Sequence, residues 1–412
     1  MKREVLEPES LREASGFLVS SPTRFVFDNP MRGGPRLAEV RTALREKGVV
    51  RISATKAKVF VDIDPGDPGP ALISLDAIAR SCAAGLERAI LSALGQVDAV
   101  LVGIDGRSDE ETRKVAEAYA DVVWGFGAKD IGLTDEEWEA DHIHFANARN
   151  LGRMQVQTPW ALVIDSDEYL DQAAPVDLRK VVTATGSEKV GSYALQISCM
   201  GLDQMDGQRL ARTQFRWYSA SHNQLESMGD LQKCGGRIVQ DISIRTDEEN
   251  KRRLQQRSVC IESLSEEATR GNLNSLFHLA KHRIGTGDFA EGERLAQDFR
   301  SRAEVHGPLA QQRGFLALGV GHLYYNRGSA KDIEQAELWF LRAMLDGPRM
   351  DAMCLLGDLA EERGDLGSAL CWYEAACSMP EPVSDDYMSW REVIVMRMSR
   401  RSEIRRTLGI DS

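Results

Sequence analysis

The stretch of sequence that decides the fold is Ala161-Leu162-Val163-Ile164-Asp165-Ser166-Asp167-Glu168. Its four apolar residues predict a short strand buried on both faces, and its acidic residues predict a polar turn directly after that strand. Asp165 and Asp167 lie one residue apart, and carboxylate oxygens are the ligands that Mg²⁺ and Mn²⁺ prefer. Because ligands of open α/β sheets bind at the carboxyl ends of the strands, this turn is a candidate metal site.

The neighbouring sequence alternates apolar runs with helical patterns. The predicted strands are 71–75, 99–104, 121–126 and 161–164, and the predicted helices are 85–94 and 108–120. This alternation is typical of a mostly parallel α/β sheet. Asp105 directly follows the second strand, so we expect it at the same edge of the sheet as Asp165. Ser108 is expected to cap the second helix, because a serine hydroxyl can accept a hydrogen bond from a backbone N–H group.

The composition is that of a water-soluble globular protein with two or three domains. The chain has 412 residues, of which 42% are hydrophobic and 28% are charged. No apolar run reaches the roughly 18 residues that a membrane span needs, and the N-terminus lacks the apolar core of a signal peptide. A cytoplasmic location is therefore expected. The net charge of −12 argues against non-specific binding to nucleic acid or to anionic membranes.

Three regions of the chain differ in sequence character. Residues 1–70 form an accessory segment of unknown role, with one predicted strand at 59–63 and a linker rich in Pro and Gly at 64–70. Residues 71–254 form the predicted α/β domain, and residues 255–412 show helical patterns without strand signals. We therefore predict an α/β domain followed by an all-helical domain.

The helical region contains a repeat in which small and large residues recur 33 residues apart. The matching pairs are Ala336 and Ala369, Phe340 and Tyr373, and Ala343 and Ala376. This spacing is typical of tetratricopeptide repeats, which are helix pairs that bury their apolar faces against neighbouring pairs. An irregular helical bundle is the alternative. Stacked repeats present an extended concave face, so we expect this region to bind a polymer or a protein partner, or to pair two chains as a homodimer.

Four elements in a fixed order resemble the inverting family 2 glycosyltransferases of GT-A fold, in particular the bacterial branch that carries tetratricopeptide repeats after the catalytic domain. The first strand contains Ile73-Ser74-Leu75, and the second ends in Ile104-Asp105-Gly106-Arg107-Ser108-Asp109. An Ala-Arg-Asn element follows in Phe145-Ala146-Asn147-Ala148-Arg149-Asn150, and the strand with Asp165-Ser166-Asp167 comes last. The order and spacing hold over about 175 residues, which is more specific than any single motif.

This resemblance implies a fold and a reaction. The catalytic domain would have the GT-A fold, a Rossmann-like and mostly parallel sheet, and would transfer a sugar with inversion from a nucleoside-diphosphate sugar, a UDP-sugar foremost. A Mn²⁺ or Mg²⁺ ion would bridge the diphosphate of this donor. Asp165 and Asp167 would hold the ion, with His222 as a further ligand of the metal or the diphosphate, and Asp165 would also lie against the ribose.

The resemblance also assigns residues to the nucleotide. Asp105 would contact the base or the ribose, Arg149 would offset the charge of the diphosphate, and Asn150 would hold the loop that carries Arg149. These roles complete the expected donor side of the site. The acceptor can be a glycan, a lipid-linked saccharide, a protein side chain or a modified nucleobase, and the sequence leaves this choice open.

Two departures from the family pattern concern the acceptor side. Family members carry a basic residue, Asn and Glu after the first strand, where this chain has Arg80-Ser81-Cys82-Ala83. Asn223 stands where members have an acid, and an amide cannot accept a proton at neutral pH. The candidates for the general base are therefore Glu168, Glu226 and Asp230.

Two other functions remain open at the level of sequence. The chain could be a glycosyltransferase-like binding protein that has lost catalysis and acts through its helical repeats, and the missing acceptor-side residues favour this alternative. It could also be a nucleotidyltransferase, which likewise uses paired carboxylates. That class ordinarily shows a Gly-rich basic loop after the first strand, and residues 80–85 match such a loop poorly.

Overall fold

A computed structural model describes most of the chain as two compact units. The first comprises Met1–Gly201 and Asp206–Gln256, and the second comprises Leu202–Met205 and Arg257–Ser412. The described residues are 4–17, 19, 21–64, 70–140, 143–199, 202–218, 224–225, 230–241, 261–262, 264–305, 309–347, 349–379 and 390–410. No helix within these ranges is long and apolar enough to cross a membrane.

Four strands near the N-terminus form a small sheet in the order β1-β2-β4-β3. These strands are β1 (Glu4–Leu6), β2 (Thr23–Asp28), β3 (Val49–Ala54) and β4 (Lys58–Asp64). β1 pairs with β2 in parallel, whereas β4 pairs with β2 and β3 in antiparallel register. Helices α1 (Leu11–Gly16) and α2 (Leu37–Leu44) lie between the strands along the chain. β4 includes the strand predicted at 59–63.

The small sheet shares a hydrophobic core with the residues that follow it. Phe25 of β2 belongs to the same cluster of buried apolar residues as Leu75 and Ile90. The hydroxyl of Tyr119 donates a 2.7 Å hydrogen bond to Asn29 Oδ1, which joins the two parts by a buried polar contact. The segment that we expected to be accessory therefore packs as part of the α/β unit.

A larger sheet has the strand order β7-β6-β5-β8-β11-β10-β14-β9. Its strands are β5 (Ile73–Ala79), β6 (Ala99–Asp105), β7 (Val122–Phe126), β8 (Trp160–Val163), β9 (Glu168–Leu170), β10 (Val190–Cys199), β11 (Leu202–Arg212) and β14 (Asp230–Gln240). β5, β6, β7 and β8 pair in parallel, whereas β11 pairs with β8 and β9 pairs with β14 in antiparallel register. The short strands β12 (Trp217–Tyr218) and β13 (Gln224–Leu225) form a separate pair.

Helices flank the four parallel strands as the alternation of sequence patterns predicts. They are α3 (Ala83–Ala93), α4 (Glu110–Tyr119), α5 (Asp135–Glu139), α6 (Phe145–Gln155) and α7 (Leu178–Thr183). All seven residues of β5 are buried, as expected for a central parallel strand whose two faces are covered. The predicted fold class, a mostly parallel α/β sheet followed by an all-helical region, is confirmed.

One helix cap differs from the prediction. The residue that caps α4 is Asp109, whose side chain accepts a 2.7 Å hydrogen bond from the backbone N–H of Thr112. The hydroxyl of Ser108 instead donates to the carbonyl of Ala79, at 3.1 Å. Both residue types cap helices well, so the sequence alone does not distinguish between adjacent candidates. The ionised Asp109 also interacts favourably with the positive end of the helix dipole.

The second unit includes the first residues of β11, and its described residues from 261 onward form helices and the turns that join them. Its longer helices are α8 (Leu273–Gly285), α9 (Phe289–Arg302), α10 (Ala310–Arg327), α11 (Ala330–Leu345), α12 (Met350–Glu362), α13 (Leu366–Ser378) and α14 (Trp390–Thr407). Six of these helices form successive pairs along the chain, α8 with α9, α10 with α11, and α12 with α13. The landmark residues of the 33-residue repeat occupy corresponding buried positions on α11 and α13.

A glycine lies against an aromatic ring at the same place in two of the helix pairs. A Cβ atom added to Gly321 of α10 would lie 2.4 Å from the ring of Phe340 on α11. A Cβ atom added to Gly357 of α12 would lie 2.4 Å from the ring of Tyr373 on α13. Both rings are fully buried, so neither can move aside without disturbing the core. The repeated contact explains why a small residue and a large residue recur together in the sequence.

We predict that Gly357→Ala destabilises the helical unit, because the added methyl group overlaps the buried ring of Tyr373. Gly285→Ala is the matched control, since that helical glycine has open space around its Cβ position. The control should be neutral or stabilising by up to about 1 kcal/mol. The free energy of unfolding of Gly357→Ala, measured by urea denaturation, should lie about 2 kcal/mol or more below that of the control. Equal stabilities would contradict the close packing of glycine and ring.

Candidate functional site

The predicted acidic turn begins where β8 ends. The backbone N–H of Asp165 donates to Glu168 Oε2 at 3.0 Å, and the backbone N–H of Glu168 donates to the carbonyl of Asp165 at 2.9 Å. These two bonds close the turn and direct the acidic side chains to the carboxyl edge of the sheet. The side chain of Asp165 is 37% exposed, whereas Asp167 and Glu168 are 4% and 2% exposed. Asp165 is therefore the member of the turn that a bound molecule can reach directly.

Two guanidinium groups lie against the carboxylates of the turn. Arg149 of α6 donates through Nη2 to Asp165 Oδ1. Arg209 of β11 donates through Nη2 to Glu168 Oε1 at 2.5 Å, and both of its Nη atoms lie 3.5 Å from Asp165 Oδ2. Each oxygen of the Asp165 carboxylate thus faces a different arginine. The structure brings the predicted residues Arg149 and Asp165 into direct contact.

A buried carboxylate lies behind this pair. Asp76, in the middle of β5, is fully buried, and neither of its oxygens has a hydrogen-bond partner among the described residues. Arg149 and Arg153 lie one helical turn apart on α6 and exert the main charge effects on Asp76. Gly152 allows the helix to approach, since a Cβ atom there would lie 2.6 Å from Asp76 Oδ1. Both guanidinium groups also lie within 6 Å of the ring of Trp217, at 5.6 and 5.8 Å from its centroid.

Burial and neighbouring charge shift the proton affinities of these groups in opposite directions. Burial raises the pKa of Glu168 to about 7; the charge of Arg209 opposes this shift, and the charges of Asp165 and Asp167 add to it. Burial lowers the pKa of Arg209, but the three carboxylates outweigh burial, so that this pKa is raised. Arg209 is therefore a permanent cation at the centre of the acidic turn.

The same competition acts on the buried pair behind the turn. Burial raises the pKa of Asp76, although the charges of Arg153 and Arg149 lower it. Burial lowers the pKa of Arg153, and the charge of Asp76 counteracts this effect. Each group depends on the other, because a buried ion without an opposite charge nearby is strongly unfavourable.

Asp105 lies at the end of β6, two strands from β8 in the sheet, as predicted. Its side chain is 1% exposed and is held by Arg107, whose Nε and Nη2 donate to the two carboxylate oxygens at 2.9 and 2.7 Å. The Arg107 guanidinium lies 3.5 Å from the ring centroid of Trp138 and donates to the carbonyl of that residue. In this arrangement Arg107 covers the carboxylate of Asp105. A bound molecule would contact Arg107, and it could contact Asp105 only if Arg107 moved aside.

Of the other predicted site residues, only Asn150 has a described side chain. Asn150 donates to the carbonyl of Trp217 and accepts from its N–H, both at 2.8 Å, so it fixes the backbone of β12 beside Arg149. His222 and Glu226 lie outside the described residues. Asp230 is the first residue of β14, and only its backbone is described.

Sequence reasoning missed three members of the charged cluster. Asp76 carried a local signal, since an acid inside an otherwise apolar strand is costly unless a cation lies nearby. Arg153 carried a weaker one, because its spacing of four residues from Arg149 places both on the same side of α6. Arg209 carried none, since its partners lie 41 and 44 residues away along the chain.

Among the solved structures that are similar to this chain, two are structures of one bacterial protein. The crystal structure of S. aureus TarS matches at 11% identity with a TM-score of 0.33, over 72% of this chain and 54% of that chain. The crystal structure of S. aureus TarS 1–349 in complex with UDP matches at 11% identity with a TM-score of 0.30, over 71% of this chain and 92% of that one. The chain thus spans about half the length of the first of these structures. No family model and no curated protein matches it. The assignment of function therefore rests on the residues of this chain.

We predict that the stability of the α/β unit depends on pH through Glu168. In the folded chain its pKa is raised from an ordinary value of 4.5 to about 7. Between these values the folded state holds a proton that the unfolded state releases, so the free energy of unfolding should fall as pH rises. Glu168→Gln removes this group. The difference in free energy of unfolding, wild type minus variant, should fall by roughly 3 kcal/mol from pH 4.5 to 7.5 in denaturant titrations. A difference that is flat or rises with pH would contradict the buried position of Glu168.

Proposed function

We propose that this chain is a glycosyltransferase that transfers a sugar from a nucleoside-diphosphate sugar, with UDP as the nucleotide, to an acceptor with inversion at the anomeric carbon. The observation that carries the proposal is the exposed carboxylate of Asp165 at the end of β8, flanked by the guanidinium groups of Arg149 and Arg209. A carboxylate can accept hydrogen bonds from ribose hydroxyls, and fixed guanidinium groups can neutralise a diphosphate. The same edge of the sheet carries Asp105, two strands away.

The proposed reaction is a single displacement at the anomeric carbon of the donor. The bond between the anomeric carbon and the β-phosphate oxygen breaks, and its electron pair leaves on that oxygen. An acceptor oxygen forms the new bond from the opposite face, and its proton passes to a base. The charge that develops on the leaving diphosphate is what fixed cations at the sheet edge stabilise, since they need no reorganisation during the reaction.

The base is proposed among the three acids named from the sequence. The pKa of Glu168, raised to about 7 by burial, suits proton transfer near neutral pH. Both of its oxygens already accept hydrogen bonds, one from Arg209 and one from the backbone of Asp165. In this arrangement Glu168 orients Arg209, so the proposed base is Asp230 or Glu226.

The acceptor is proposed to be a hydroxyl or amide of a glycan, a protein or a modified nucleobase, held by the helical unit. The paired helices and the corresponding buried landmarks support an assignment of this unit to tetratricopeptide repeats, whose concave surface suits a polymer or a second chain. The alternative function is a catalytically impaired binding protein of the same fold. Asn223 in place of an acid and the occupied oxygens of Glu168 favour that alternative.

We predict that UDP and UDP-sugars raise the melting temperature of the full chain more than GDP- or TDP-sugars do. A ligand present at 100 times its dissociation constant stabilises the folded state by about 2.7 kcal/mol. Asp165→Asn should weaken UDP binding about tenfold, because the ribose loses a charged acceptor worth about 1.5 kcal/mol. Glu117→Gln, which alters an exposed acid on α4, is the matched control and should bind as the wild type does.

Two outcomes separate the alternatives. A protein whose melting temperature responds to no nucleotide or nucleotide sugar would refute both the enzyme and the binding protein of this class. A protein that binds UDP-glucose or UDP-N-acetylglucosamine but never releases UDP, with or without acceptor, would favour the impaired binding protein.

A further inference from the structure

Arg209 lies where the sequence led us to expect a metal ion. Its guanidinium group contacts Glu168 and Asp165 directly, and the charge of Asp167 acts on it as well. A divalent ion held by this turn would need the same carboxylate oxygens. No three His, Cys, Asp or Glu side chains come together as a metal site among the residues that the structure describes. As they stand, the carboxylates therefore fit a guanidinium group and do not fit a metal.

The sheet holds Arg209 in this position. β11 runs antiparallel to β8, with Leu210 opposite Leu162, and Leu210 is buried in the core. Because side chains alternate along a strand, Arg209 points to the other face, towards the acidic turn. Gly207, two residues earlier and on the same face, leaves room for it, since a Cβ atom there would lie 3.3 Å from Arg209 Nε and 2.6 Å from Ile197 Cδ1. The side chain of Arg209 is only 15% exposed, so it is enclosed by this setting.

The remaining hydrogen-bonding capacity of Arg209 suits a phosphate. Nη2 donates to Glu168, whereas the contact of Nη1 with Asp165, at 3.5 Å, is too long to be a strong hydrogen bond. Nη1 can therefore donate to an oxygen of a bound diphosphate while Nη2 stays anchored to Glu168. A guanidinium group presents its donors in a planar fork that matches phosphate oxygens, and it remains charged at every physiological pH.

We propose that Arg209 supplies the fixed positive charge that neutralises the donor diphosphate, so that this chain binds its donor without a divalent metal ion. The inference rests on the proposed function and deepens it. During transfer the electron pair of the broken sugar–phosphate bond goes to the β-phosphate oxygen, which accepts a hydrogen bond from Arg209. The arginine keeps its proton, and the proton of the acceptor goes to the base. Glu168 and Asp165 are the residues that position the guanidinium group.

The test measures UDP binding by calorimetry in EDTA and in MnCl₂, for the wild type, Arg209→Met and Arg216→Met. Arg216 is exposed and outside the cluster, so its variant controls for the loss of one positive charge. The wild type and the control should bind UDP with affinities that agree within about threefold in the two buffers. Arg209→Met should bind at least about tenfold more weakly in EDTA, and Mn²⁺ should restore part of this loss, because the released carboxylates can then hold the ion.

A second measurement does not depend on the nucleotide. Titration with Mn²⁺ alone, followed by electron paramagnetic resonance, should show no binding at this site in the wild type and one new site in Arg209→Met. If Arg209→Met does not fold, Arg209→Lys takes its place. Lysine keeps the charge without the planar fork, so UDP binding should weaken but stay independent of metal.

The outcomes distinguish the inference from the function on which it rests. Loss of wild-type UDP binding in EDTA, with recovery in Mn²⁺, would overturn the role of Arg209, and so would an unchanged affinity of Arg209→Met in EDTA. If no form of the protein binds UDP in either buffer, the proposed function fails. The Mn²⁺ titration then tests by itself whether Arg209 excludes a metal ion from the acidic turn. Binding of Mn²⁺ by the turn in the wild type would show that its carboxylates can hold a metal and would overturn the inference.

Discussion

The buried attraction between Asp76 and the two arginines of α6 is the constraint on which the site depends. An ion removed from water costs several kcal/mol unless an opposite charge compensates for it. A carboxylate in the centre of β5 therefore requires that Arg149 and Arg153 lie over it. Gly152 makes this approach possible, because any side chain at that position would overlap the carboxylate. With α6 placed in this way, the guanidinium group of Arg149 contacts Asp165.

A line of alternating charges runs from this buried pair to the edge of the sheet. The charge of Arg149 acts on Asp76, Arg149 binds Asp165, and Arg209 lies against Asp165 and binds Glu168. The three inner members, Arg149, Asp165 and Arg209, each have an opposite charge on both sides, so their positions are determined more strictly than a single surface ion pair would allow. Removing one of these three weakens the compensation of both of its neighbours, which is why effects within such a network are not additive.

The sequence-based expectations were mostly accurate where the interacting residues are close together in the sequence, and they failed where the residues are far apart. The strands β5 to β8 and the positions of Asp105 and Asp165 were predictable, because an apolar run and the polar residue after it lie together in sequence. The choice between Ser108 and Asp109 as the helix cap was not, because both residues can accept the bond and only the backbone geometry decides. Arg209 was beyond reach for a different reason: its place among the acids depends on a strand pairing across more than 40 residues.

A guanidinium group that belongs to the chain and a metal ion that binds from solution compensate the repulsion among the carboxylates at different times. A metal ion is recruited with the donor, so the carboxylates of the turn must stay mutually repelling and hydrated until it arrives. Arg209 compensates these carboxylates during folding, and the donor then meets a charge distribution that is already organised. Under the proposed function, this arrangement ties recognition of the diphosphate to the integrity of the sheet, because the strand that carries Arg209 also carries Leu210 into the core. The pairing of β11 with β8 would then determine both the stability of the α/β core and the affinity for the proposed donor.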